Sequence, residues 1–529
     1  MSKLKQSIFM KKLDHLLAYS DDDAFLQMVW AVDALQAGRE QSARKHLAYP
    51  IDAATTDMGS RLAIHKWELE TLVNRLLITR KTAPARGTIR QVNCSAFAAC
   101  ATAVNHLRKL EDAESNLYLG KFSVLTEMHR IGHRQFHWQR GYFNSVQLYR
   151  YAYLYGQGEC GAYFEATHGI SFNDFSAIGF GLYGGFQEYS SVQRTYSLQV
   201  LGISDNTRER GLGLLSLSLR GARIAAAELA QNVNANLPRS LPVAYQPSLL
   251  RRFPVIESTA NPGMLRSPLP ELIIQRITSG VYYDLVAGPG RLRNEASDRF
   301  EQYTNELLTR MLPALSSRRG FKYQANGNRV DAPDVLLETP EGVRLIIECK
   351  ATKLTIAAQF GEDPLEEANK SYQEIAKGVL QIWKFASHVR RNLARDVAMA
   401  PQASGMVLTL DNWLVMSNEL QDRVIAEARQ VADRDPEITE ADRRHVIFCS
   451  ISDLEATLSF SDEDSFLSLL SSAREDQFKG WVLPVINSNL AEYSGEKKSH
   501  PFDLGDVLPW WAATEDMRDK RRAEMTLGG

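Results

Sequence analysis

Residues 331–350 read DAPDVLLETPEGVRLIIECK, and the alternation within this stretch decides how the second half of the chain folds. Val335 to Glu338 and Val343 to Cys349 are rich in β-branched and aliphatic residues. Between them Thr339-Pro340-Glu341-Gly342 is turn chemistry, so the passage predicts a β-hairpin. Successive side chains alternate faces along a strand. Ile346, Glu348 and Lys350 therefore share one side, and Leu345, Ile347 and Cys349 the other. Asp334 stands at the mouth of the first strand, where pairing across this turn brings it towards Glu348. Two neighbouring carboxylates repel unless a cation lies between them, and hard oxygen ligands of this kind suit Mg²⁺ or Mn²⁺.

The flanking segments supply an α/β alternation. Upstream, Arg293 to Leu315 repeats Phe300, Tyr303, Leu307, Leu308 and Met311 at helical spacing, and Gly320 to Gln324 suits a further strand. Downstream, Pro364 to Arg391 is a long amphipathic segment whose Tyr372, Ile375, Ala376, Val379, Trp383 and Ala386 would face a sheet. On a second stripe of that helix lie Lys370, Gln373, Lys377, Gln381, Lys384, His388 and Arg391. No acid interrupts this row, which suits a phosphate backbone; the alternative is an ordinary solvated face. Ala403 to Leu414 and His445 to Ser452 read as strands, Asp462 to Arg474 as a helix, and Gly480 to Pro484 as an edge strand.

Pro333-Asp334 followed by Glu348-Cys349-Lys350 resembles the signature of the PD-(D/E)XK nuclease superfamily, over roughly the last 240 residues. The resemblance implies a restriction-endonuclease-like α/β domain with a central mixed sheet flanked by helices. It implies a metal shell of Asp334, Glu348 and the backbone carbonyl of Cys349, with Lys350 acting on the attacking water or the phosphorus. A helix glutamate often completes that shell; Glu301 is the best match and Asp298 the next. Some relatives add a glutamine, for which Gln381 has the spacing, although Phe385 stands where a tyrosine is common. Lys353, with Thr352, follows the motif closely enough to touch the substrate backbone beside Lys370, Gln373, Lys377, Lys384 and Arg391. The implied activity is Mg²⁺-dependent, endonucleolytic cleavage of DNA, with a role in bacterial defence against phage or foreign DNA. The alternatives are an inactive nuclease-fold nucleic-acid-binding or scaffold protein, and an RNA nuclease.

The rest of the chain bounds the context. Its 529 residues suggest a multidomain protein, and 44% hydrophobic with 23% charged content is ordinary for a globular one. A formal net charge of −2 gives no global attraction to nucleic acid, so affinity must come from local patches such as Arg318, Arg319, Lys322 and Arg329. No stretch reaches membrane-spanning length without charge, and the N-terminus lacks a signal-peptide pattern. Five scattered cysteines without a CxxC pair predict a reducing cytoplasm and argue against structural zinc.

An α-helical N-terminal half precedes the α/β part, with helices predicted at Cys94 to Leu110, Glu111 to Gly132 and Ser171 to Ile178 among others. The expected divisions are 1–80 and 88–231 as helical regions, 232–285 as a proline-rich connector with a lead-in helix, and 286–529 as the nuclease-like domain. The helical half would provide a homo-oligomer or protein-partner interface. Within it, His129, His133 and His137 lie on one helix face, where the interleaved arginines favour a buried polar contact or basic surface over a metal. Gly179, Gly181 and Gly184 spell GxGxxG without the preceding strand that a dinucleotide site needs, and read as a turn.

Overall fold

The computed structural model describes residues 2–82, 92–367, 369–411, 418–490 and 497–517. The chain forms two compact units. One comprises Met1–Pro289, Phe360–Glu362 and Leu504–Gly529, the other Gly290–Gln359 and Asp363–Asp503.

The first unit is predominantly helical, as its long apolar periodicities predict. Its helices include Asp22–Gln36, Lys66–Ile78, Phe97–Leu119, Val124–Arg140 and Phe172–Glu188. Side-chain caps start several of them: Asp21 accepts from the Ala24 amide at 2.8 Å, and Ser171 from the Asp174 amide at 3.0 Å. The break predicted at Leu110 falls instead at Gly120 to Ser123, so one helix runs through Glu111. The helix at Ser171 also continues past the glycines. A Cβ at Gly179 would stand 2.4 Å from Ile277 Cγ2, so that glycine permits close helix packing and is not part of a turn. His129 and His133 are buried, with Arg130 and Arg134. Burial holds the His133 imidazole well below its ordinary pKa, so it is neutral.

Three of the expected divisions do not separate compact units. Residues 1–80, 88–231 and 232–285 belong to one unit. Short strands at Val255–Glu257 and Met264–Arg266 lie inside a four-stranded sheet, between Ser216–Ser218 and Val192–Gln193. The prolines punctuate these strands, and Leu249, Leu250, Val255, Ile256 and Leu265 are buried among them. Residues from Leu504 onward also join this unit: the Trp510 indole donates to Ser176 Oγ at 2.8 Å and its amide to Asn173 Oδ1 at 3.1 Å.

The second unit is built on a five-stranded mixed sheet. Helix α1 (Gly290–Met311) leads into β1 (Ser316–Arg319), a separate ribbon of β2 (Lys322–Ala325) and β3 (Asn328–Asp331), then β4 (Val335–Thr339) and β5 (Gly342–Lys350). Helix α2 (Asn369–Arg390), β6 (Met399–Thr409), α3 (Asn418–Ala432) and β7 (Val446–Ser450) follow. The sheet order is β7-β6-β5-β4-β1; β6 runs parallel to both its neighbours, while β5, β4 and β1 form an antiparallel meander. Beyond the sheet, Ser450 caps the helix Ile451–Leu458 and Asp462 caps Glu463–Ser472.

The meander's first strand is therefore Ser316–Arg319, and the segment predicted there, Gly320 to Gln324, contributes to the ribbon. Gly480 to Pro484 is not an edge strand either: Pro484 sits in the first turn of the helix Leu483–Asn489, where its missing N–H costs nothing.

The alternation predicted for β5 sets the layers. Ile346 packs with Leu336, Val407, Val379, Ile382 and Trp383 under α2, joined by Leu420 and Val424 of α3. Each fully buried side chain of this size contributes roughly 1.5–3 kcal/mol. On the opposite face Cys349 Sγ meets Thr304 Oγ1 of α1 at 3.9 Å. Among the described residues, no helix is long and apolar enough to cross a membrane.

Candidate active site

The hairpin aims the site. Register pairs Val335 with Ile347, so Asp334, one residue earlier, arrives opposite Glu348. Two local contacts fix it there. The Gly320 amide donates to the Asp334 carbonyl at 2.8 Å, and the Cys349 amide donates to Asp334 Oδ2 at 2.6 Å. A Cβ at Gly320 would stand 2.5 Å from the Pro333 carbonyl oxygen, so only glycine allows this approach.

Glu348 and Lys350 project together towards α2, as alternation requires. The Lys350 ammonium donates to Glu348 Oε1 at 3.0 Å and to Gln381 Oε1 at 3.3 Å. Gly378 lies one turn before Gln381 and makes room for them. Glu348 is 3% exposed, and its Oε2 is buried without a hydrogen-bond partner.

From the other side, Arg319 at the end of β1 reaches α1, donating to Asp298 Oδ1 at 2.6 Å and to Glu301 Oε2 at 3.1 Å. The electrostatics tie these groups into one cluster. Burial, then the charge of Asp334, pushes Glu348 up to about 7, and the same two causes in the same order push Glu301 up to about 7. Burial also raises Asp334, opposed by the Cys349 amide, Lys350 and Arg319. Thus Asp334, Glu348, Lys350, Gln381 and Glu301 come together around the hairpin.

The donor set can be weighed against a divalent ion. Among the described residues, no three His, Cys, Asp or Glu side chains are grouped to hold a metal. Two carboxylates and the Cys349 carbonyl do not require three. The unpartnered Glu348 Oε2, beside the half-buried Asp334 carboxylate, is an acceptor that a hard cation would satisfy.

The basic face fares unevenly. Gln373, Lys377 and Lys384 are exposed on α2, although Glu374 pairs with Lys377, so the stripe is not free of acid in space. Arg391 is engaged by Glu437 at 2.6 Å, and His388 Nδ1 by the Tyr323 hydroxyl at 2.7 Å. Lys353 does not reach outward: it pairs with Asp411 at 3.3 Å with 9% of its side chain exposed, because the loop after β5 turns it inward beside β6. The side chain of Lys370 lies outside the described residues.

Sequence reasoning missed three contributors. Arg319 reads as one of a basic patch, while its partners lie on α1. Gly320 and Gly378 carry no chemistry; a lone glycine on the sheet-facing side of an otherwise regular helix was the available signal for Gly378. Compared with protein-family models, curated proteins and solved structures, the chain matches none of them.

Proposed function

We propose that the second unit is a PD-(D/E)XK-type, restriction-endonuclease-like phosphodiesterase that cleaves DNA with Mg²⁺ or Mn²⁺. The observation that carries this reading is the convergence of Asp334, Glu348 and Lys350, with Glu348 Oε2 buried and unpartnered. Asp334, Glu348 and the Cys349 carbonyl would hold the ion, which when bound supplies charge neutralisation at the scissile phosphate and a more acidic water. Lys350 orients that water or meets the charge growing on phosphorus, and Gln381 fixes its ammonium. Glu301 extends the acidic cluster from α1. Gln373, Lys377 and Lys384 present an exposed row to the phosphate backbone. In this reading the helical unit serves assembly or recruitment, and a role in bacterial defence against foreign DNA follows the family analogy.

A cleavage panel of plasmid, linear duplex, single-stranded DNA and RNA tests it, with Mg²⁺ and with EDTA. Metal-dependent cutting by the wild type and its loss in Asp334→Ala, Glu348→Ala and Lys350→Ala is the expected result. Undiminished cutting by all three refutes the assignment. The Lys350–Glu348 ion pair at 3.0 Å, which balances that carboxylate without a metal, favours a second reading, a nuclease-fold binder without turnover. Such a protein would shift DNA on a gel and leave it whole in every condition, and preferential cutting of RNA would change the substrate class.

A further inference from the structure

We infer that the β2–β3 ribbon is a base-reading element: its outer face enters the major groove of duplex DNA, where Gln324 and Arg329 select the sequence beside the cut. This rests on the DNA-directed reading above and names how that site chooses its substrate.

Register pairs Lys322 with Asp331, Tyr323 with Val330 and Gln324 with Arg329. Residues directly opposite share a face, so Lys322, Gln324, Arg329 and Asp331 form one side, and all four are exposed. The other side is anchored. Tyr323 packs against the core under α2, its hydroxyl bonds to His388 Nδ1 at 2.7 Å, and Ala325 is buried. At the tip, Asn326 and Gly327 both take positive φ, 51° and 80°, in a two-residue turn, and Asn326 Nδ2 donates to Glu437 Oε2 at 3.1 Å. The ribbon is therefore held at its base and its end.

The outer face has the wrong charge for a phosphate track. Lys322 is matched by Asp331 at 3.4 Å, which leaves Arg329 as its unbalanced charge. Neither Gln324 nor Arg329 has a hydrogen-bond or ion-pair partner among the described residues, whereas Arg318 is held by Glu338 and Arg319 by Asp298. A mixed set of donors and acceptors suits base edges. A guanidinium fork matches guanine O6 and N7, a carboxamide matches adenine N6 and N7, and the major groove admits a two-stranded ribbon. Both strands of the ribbon run straight into the site. The Ala332 amide donates to the Phe321 carbonyl at 2.8 Å and the Gly320 amide to the Asp334 carbonyl at 2.8 Å. Asp334 follows Arg329 by five residues, so their Cα atoms lie within roughly 17 Å, the rise of about five base pairs.

Duplexes with a randomised block of about ten base pairs, twice that reach, test this with the full chain. Those retained in CaCl₂ are sequenced, and so are the ends produced in MgCl₂. The wild type should enrich a guanine and, within about one step of it, an adenine, each by roughly tenfold over other bases. Gln324→Ala should lose the adenine preference at an unchanged salt slope, and Arg329→Ala the guanine preference. Retention without sequence preference, an unchanged preference in both variants, or a uniform loss across all sequences in Arg329→Ala overturns the inference. Those outcomes leave metal-dependent cutting standing where MgCl₂ still yields ends. Selective retention with no ends upholds the ribbon and removes the cleavage reading.

Discussion

Gly378 lies against Glu348: a Cβ at 378 would stand 3.2 Å from Glu348 Cγ, and 3.1 Å from Lys350 Cε. The helix thus leaves a one-atom gap where two proposed catalytic side chains must sit. Gly378→Ala gains helix propensity worth about 1 kcal/mol and loses a similar amount to crowding, so urea midpoints should change little. Cleavage should drop by roughly tenfold, because a displacement of a few tenths of an ångström misaligns the ammonium. Gly378→Val should also lower the urea midpoint. Full activity in the valine variant would show that the gap is irrelevant to the chemistry.

Gly320→Ala tests the other anchor. Its Cβ would meet backbone, the Pro333 carbonyl oxygen at 2.5 Å, which has no flexible end to yield. The strand carrying Asp334 must shift, with an expected loss of about 2 kcal/mol or more in urea denaturation and of cleavage with it. Wild-type stability would mean that β1 and Pro333 separate freely.

The acidic cluster gives a pH signature in EDTA. Glu348 rises from 4.5 to about 7 on folding, and Glu301 does the same. A carboxyl whose pKa is raised in the folded state favours folding most below its unfolded pKa, and that contribution is lost as pH rises through the folded value. Thermal midpoints should therefore fall as pH rises from about 4.5 to about 7 and then level off. Glu348→Gln should flatten part of this slope and raise the midpoint near pH 8 by a few degrees, at about 2–4 °C. The comparison with the variant is needed because Glu114, in the first unit, is also pushed up to about 7 by burial. An identical slope in Glu348→Gln would remove that residue from the account.

The exposed face of α2 makes a separable claim. Lys377→Ala with Lys384→Ala should weaken DNA binding and reduce the salt dependence by about two counterions. Lys353→Ala should leave the salt slope unchanged and lower stability instead, since that ammonium is buried against Asp411. Fluorescence anisotropy at several salt concentrations reads both. A reduced slope for Lys353→Ala would return it to the nucleic-acid face.

Much of the site was legible because its signals are local. The Thr339 to Gly342 turn and the alternation after it determine which way Glu348 and Lys350 point, and the spacing along a single helix picks out Gln381. The unread parts depend on distant partners or run against propensity. Ser316–Arg319 is polar and has no β-branched residue, so the more apolar Gly320 to Gln324 took its place in the reading. Lys353 finds Asp411 58 positions later, as 411 − 353 shows, and no spacing rule reports that pairing. Arg319 meets Asp298 and Glu301 across a helix and a strand, a closure that only tertiary packing creates. In the proline-rich stretch, composition suggested a connector while Leu249, Leu250, Val255 and Ile256 were available to fill a core.

The return of Trp510 to Ser176 and Asn173 means that the polypeptide enters and leaves the sheet-bearing unit from the same helical body. That unit is an insertion whose chain joins the helical body at both ends, with Phe360–Glu362 also belonging to that body. A single proteolytic nick on one side would leave it tethered, so its release as a fragment needs two cuts. During synthesis the ribosome must also deliver the whole inserted unit before the Trp510 indole can seal the helical body, which ties completion of the one to the emergence of the other.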